Sequence, residues 1–158
     1  MAIFGAPLVR IDDAARAVHC ALSMQERVSQ LRFPKFADFR LHMRIGINTG
    51  RVIAGNIGSE RRMDYTVIGD EVNLAQRLEA NAGPGQILIS DSTYAHVQGA
   101  VQVRELGPLR VKGRKEGVRV YDVIGVLPGA TWDIGARHSA AVAVHEEPCH
   151  GDDSDRRP

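Results

Sequence analysis

A chain of 158 residues, 44% hydrophobic and 25% charged, is long enough for one domain with a real core and too apolar for wholesale disorder. Its net charge of +1 withholds the broad positive field that general nucleic-acid binding needs. The two cysteines, Cys20 and Cys149, suggest neither a disulfide framework nor a zinc spacing, and no run reaches the ~18 apolar residues of a membrane span, so a cytoplasmic, reducing setting is expected.

The opening "AIFGAP" reads as the end of a strand entering a turn, as though the chain begins in mid-domain. Behind Asp12 and Asp13, the residues Ala14, Ala17, Val18, Ala21, Met24, Val28 and Leu31 recur at helical spacing, which predicts an amphipathic helix lying on a sheet. Met43, Ile45 and Ile47 alternate up to Asn48-Thr49-Gly50, and the pattern resumes at Val52 and Ala54. That reads as two strands joined by a tight turn. After the charged "SERRMD" come a short strand from Tyr65 to Ile68 and a helix from Gly69 to about Ala82.

The remainder is rich in strands: "QILIS", a short helix "DSTYAHV", then "VQVREL", "LRVKG" and "VRVYDVIGV", with turns expected at Gly107-Pro108 and Lys112-Gly113. The domain is expected over residues 1–127, followed by a disordered tail over 128–158. His138, His145, Cys149 and His150 in that tail are too irregularly spaced to predict a metal site.

The helix after Ile68 carries two faces. At about 100° per residue Leu74, Ala75, Leu78 and Ala82 make an apolar side, while Asp70, Asn73 and Arg77 fall within a narrow polar arc. Asp70, at the helix start, reads as a cap. Most polar helix faces are simply solvated, but no acid stands three or four positions from Arg77, and Asn73 is a mediocre helix former. A neutral amide and a forked cation one turn apart suit an anionic ribose-phosphate whose charge shifts during phosphoryl transfer.

The run "MRIGINTGRVIAGNIGSERRMDYTVIGDEVNLAQRLE", with "AIFGAP" before it and "PGQILISDSTY" and "LRVKGRKEGVRVYDVIG" after it, closely resembles the catalytic domain of class III nucleotidyl cyclases, the adenylate and guanylate cyclase family. The resemblance covers Met1 to about Val126. It implies an α+β, ferredoxin-like domain of βαββαβ type, working as a homodimer or heterodimer whose active sites draw on both protomers. It also implies that Asn73 orients the ribose, Arg77 stabilises the transition state, Lys112 binds the triphosphate and Thr66 contacts the purine. A Thr at that last position is similar to adenylate cyclases, which favours ATP as substrate.

Departures from the family's pattern matter equally. Its two metal-binding Asp residues lie in segments resembling "FADIRGFT" and a "GD" pair, both upstream of "MAIFGAP", and the purine-selecting Lys before that "GD" has no counterpart either. The "FADF" at Phe36 to Phe39 follows the first helix and is a false lookalike. The expectation is therefore a domain lacking its first strand and following helices. Mg²⁺ or Mn²⁺ would be held by a partner chain or by missing N-terminal residues, and none by this chain. The full reaction, ATP to cyclic AMP and pyrophosphate in intracellular signalling, would fail in these residues alone. The alternative is a non-catalytic dimerisation partner or regulator of an intact cyclase. An RNA-binding sheet is disfavoured by an aromatic content of 5%.

Overall fold

A computed structural model of the chain describes residues 1–32, 40–59, 62–110 and 117–130. The "FADF" stretch, Lys112, the Lys112-Gly113 turn and the tail from residue 131 lie outside the described residues. The elements are α1 (Asp13–Gln30), β1 (Ile45–Ile47), β2 (Ile53–Ser59), β3 (Arg62–Ile68), α2 (Asp70–Asn81), β4 (Ile87–Ser90), α3 (Asp91–Val97), β5 (Val101–Leu109) and β6 (Val118–Val126). Four strands form a sheet in the order β1-β4-β6-β5, with β1 and β4 parallel and the other pairs antiparallel. Strands β2 and β3 form a separate antiparallel pair.

Period-two alternation sorts the core onto the two faces of the sheet. Ile87 and Ile89 of β4, with Tyr121 and Val123 of β6, pack with Val18 and Ala21 of α1 and Val97 of α3. Leu88 and Val120, at the intervening positions, pack instead with Leu74, Leu78 and Ala82 of α2. Burial on both faces is why Ile87, Leu88 and Ile89 are apolar in succession rather than alternating. On β1 the same parity turns Ile45 and Ile47 to the α1 side and Gly46 to α2. There the missing side chain is what lets the helix lie close, because a methyl on Gly46 would meet the backbone of α2 at Ala75 and Glu79.

Expectations about strands and turns fail at three places, each for a physical reason. Strands β1 and β2 are not a hairpin: β1 pairs with β4, and β2 pairs with β3 from Ile53↔Ile68 to Ser59↔Arg62. Parallel strands need a long crossover, and the β2–β3 hairpin plus α2 supplies it. The Gly107-Pro108 turn is no turn either. Strand β5 runs through it, and Gly107, at φ +85, sits at an irregularity in the register with β6. Finally, "AIFGAP" forms no strand, since no described strand lies alongside it to pair. The predicted α1 stripe holds at Val18 and Ala21, but Met24 and Leu31 are exposed, with Leu31 capping the helix rather than continuing it.

Asp122 and Tyr121 of β6 tie the sheet to its neighbours. Asp122 of β6, almost fully buried, accepts from Arg104 of β5 at 2.6 Å and from Gln86 at 3.0 Å. On the other face Tyr121 stacks on Tyr94, ring centroids 4.3 Å apart, and donates its hydroxyl to Asp91 at 3.1 Å. Burial first, and the Asp91 hydrogen bond second, raise the Tyr121 pKa above the ordinary 10.0. The folded state thus favours the neutral phenol. Its contribution to stability is whole below the unfolded value and is lost as pH rises through the folded one. Urea midpoints followed upward from about pH 8 should fall on the alkaline side of about pH 10, and Tyr121→Phe should flatten that decline. An equally steep decline in the variant would exclude Tyr121 as its source.

Candidate functional site

Strand β3 ends at Ile68 and the chain enters α2 through Gly69, whose φ of +154 is a conformation that side chains rarely adopt. Gly69 is the N-cap and no side chain caps this helix. Asp70 is therefore the first helical residue and not the cap expected of it. With Glu71 it still places acid in the first turn, where the helix dipole favours negative charge.

From this start the core-facing side of α2 is set by Leu74 and Leu78, both buried. Asn73 and Arg77, one turn apart, lie about 100° around the helix from that side. Asn73 is exposed, and Arg77 is half-buried and already engaged in an interaction within the fold. Thr66 is half-buried on β3, opposite Gly55 of β2 and four positions before α2 begins. A single strand-and-helix unit thus carries Thr66, Asn73 and Arg77. Lys112 lies outside the described residues.

A second set of polar residues was hidden from the sequence because its members look like turn and cap chemistry. Asn48, read as part of a tight turn, donates its side-chain amide to the Glu71 carbonyl at 3.0 Å and to the Glu71 carboxylate at 2.7 Å. Its Oδ1 accepts from Ser90 at 2.6 Å and from Ser92 at 3.1 Å. Thr49 and Thr93 share a hydroxyl contact at 3.0 Å, and Ser92 donates to the Thr49 carbonyl at 2.8 Å. Ser90 also caps α3 by accepting from the Thr93 amide. The group knits the loop after β1 to the first turns of both α2 and α3.

The described residues do not provide a metal centre: no three His, Cys, Asp or Glu side chains among them converge where an ion could be held. No helix among them is long and apolar enough to cross a membrane. What they do provide is a helix face with an amide and a guanidinium, suited to binding and charge stabilisation.

Comparison with known proteins identifies the family. The family model described as "Adenylate and Guanylate cyclase catalytic domain" matches residues 1–125. "Adenylate cyclase 1" of Rhizobium meliloti (strain 1021) is 36% identical over 132 residues, which are 80% of this chain and 20% of that protein. Among solved structures, the adenylyl cyclase CyaB from P. aeruginosa is similar at 39% identity and a TM-score of 0.71, over 77% of this chain and 64% of that one. The guanylate cyclase domain of RhGC from Catenaria anguillulae, in complex with GTP, is similar at 35% identity and a TM-score of 0.71, over 78% of this chain and 66% of that one. The chain thus spans about a fifth of the length of that curated relative and under two thirds of either solved chain. With its mixed sheet, its α2 face and a match running through 125 residues, the chain belongs to the adenylate and guanylate cyclase catalytic domain family.

Proposed function

We propose that residues 1–127 supply the nucleotide side of an adenylate cyclase active site shared across a dimer, converting ATP to cyclic AMP and pyrophosphate in cytoplasmic signalling. The observation that carries this reading is the α2 face: Asn73 and Arg77 stand together one turn apart, beside the buried Leu74 and Leu78 and outside the core. Asn73 orients the ribose, and Arg77 stabilises charge on the phosphate as the ribose 3′-hydroxyl attacks. Thr66 meets the base and Lys112 the triphosphate. A forked, permanent cation suits a spread phosphate charge better than a point charge does.

The hairpin supports the shared site. Strands β2 and β3 lie outside the main sheet, and an isolated two-stranded pair is marginal in water. Ile53 and Ile68 face each other across it, 76% and 54% exposed, as an apolar pair that a partner protomer would cover.

Mg²⁺ or Mn²⁺ would neutralise triphosphate charge and activate the 3′-hydroxyl. Among the described residues no three His, Cys, Asp or Glu side chains converge to hold the ion, and it is assigned to a partner chain. By themselves these residues are expected to be inactive. The alternative role, a non-catalytic partner of an intact cyclase, is favoured if pairing alters that cyclase but needs neither Asn73 nor Arg77. The deciding experiment mixes the full chain with an adenylate cyclase domain whose transition-state arginine is Ala, and follows both ATP and GTP turnover with Mn²⁺. Cyclic AMP formed well above either chain alone, with ATP preferred, is the expected result. No gain would sink the reading of the half-site, and a preference for GTP would sink the role of Thr66.

A further inference from the structure

Alternate residues of β1 and the loop behind it form the seat of α2. At one end Gly46 admits the helix backbone at Ala75 and Glu79, and at the other Gly50 lies against the side chain of Glu71. Between the two glycines stands one side chain, Asn48. Its amide end holds the carbonyl and the carboxylate of Glu71, and its oxygen end accepts from Ser90 and Ser92 at the start of α3. The orientation of the carboxamide follows from its neighbours, because a flipped group would set its oxygen against two oxygens of Glu71. Asn48 therefore uses both ends at once, and every partner belongs to a helix start.

On the helix wheel the seated residues, Glu71, Ala75 and Glu79, occupy roughly the opposite side from Asn73 and Arg77. Whatever sets the seat also sets the roll of α2, and with it the height and angle of that polar pair. The glycines limit how closely the helix approaches, but they offer no directional bond. Toward the far end Arg44 pairs with Glu79 at 3.1 Å, but both side chains are nearly half exposed and such pairs hold weakly. At the near end Asn48 supplies two bonds to Glu71, which lies two residues before Asn73 in the first turn.

We propose that Asn48 is a positioning residue of the half-site: by bonding Glu71 it locks the roll of α2 and so aims Asn73 and Arg77 at the reacting ribose and phosphate. The inference rests on the roles proposed for Asn73 and Arg77. Group placement enters reaction rate steeply, with a misplacement of about 1 Å costing as much as ~100-fold. A bolt at the helix start thus matters more for turnover than for holding the nucleotide.

The test uses the full chain in the same pairing with the arginine-deficient cyclase domain. Asn48→Ala is expected to lower kcat about 10- to 100-fold while KM for ATP moves less than about 3-fold. Asn48→Asp keeps the acceptor for the two serine hydroxyls but faces Glu71 with a like charge, and should be at least as slow. Adding Glu71→Gln to Asn48→Asp restores a donor to an acceptor across the same contact and should recover part of kcat. In the isolated chain, amide exchange at Val72 to Leu74 should quicken in Asn48→Ala while exchange in α1 stays as it was. Unchanged kcat in Asn48→Ala, no recovery in the double variant, or unchanged exchange at Val72 to Leu74 would each overturn the positioning role. Failure of the unaltered chain to make cyclic AMP in the pair overturns the half-site reading itself, and is separate from loss seen only in the Asn48 variants.

Discussion

Arg77→Ala in the complementing chain should lower cyclic AMP formation about 100- to 1,000-fold, the usual cost of removing one group that stabilises transition-state charge. The loss should fall on kcat, because a guanidinium acting on charge that develops during reaction contributes little to the ground-state complex. Arg77→Lys should recover only a part, since an ammonium keeps the charge and loses the planar fork. Arg77 is half-buried and already engaged within the fold, so lost packing has to be told apart from lost chemistry. Thermal midpoints measured on the same preparations separate the two effects. A midpoint close to that of the unaltered chain, with kcat lost, is the expected pair of results. Full activity in Arg77→Ala would leave only the reading of the chain as a non-catalytic partner.

The second large effect is on folding. Gly46→Ala should destabilise the chain by about 3 kcal/mol or more, at or above the upper end of what overpacking a core usually costs. Extra core volume is often absorbed when a side chain swings aside, but here the new methyl meets the backbone of α2 at Ala75 and Glu79. To make room the whole helix would have to lift off β1, uncovering Leu74 and Leu78, which are 2% and 0% exposed. Denaturant midpoints would register the loss directly. Gly55 serves as the control: a methyl there meets nothing within 4 Å, and Gly55→Ala should leave the midpoint nearly unchanged. Equal midpoints for the two variants would refute the close approach of α2 to β1.

Local pattern was enough wherever a segment's own residues decided its state. The Val18 and Ala21 part of the α1 stripe, the run "ILIS", the short helix from Asp91 and the two faces of α2 were legible, because 3.6- and 2-residue periods report directly on which side is buried. The polar pair Asn73 and Arg77 was legible for the same reason, as a stripe left over once the apolar side had been explained. Where the signal was punctuation, sequence misled. Asn48-Thr49-Gly50 and Gly107-Pro108 carry turn residues, yet one is a junction of two helix starts and the other an irregularity inside β5.

By itself, then, the sequence determined the helices and most of the strands, the faces of α2 and, through a long specific motif, the family. Which strand pairs with which, the seating of α2 between Gly46 and Gly50, and the use of Asn48 by both α2 and α3 were decided only in the tertiary structure. The reason is physical. Periodicity encodes burial along one segment, whereas pairing and close approach depend on groups brought together from distant positions, 44 apart for Asn48 and Ser92, and no local pattern records such a partner.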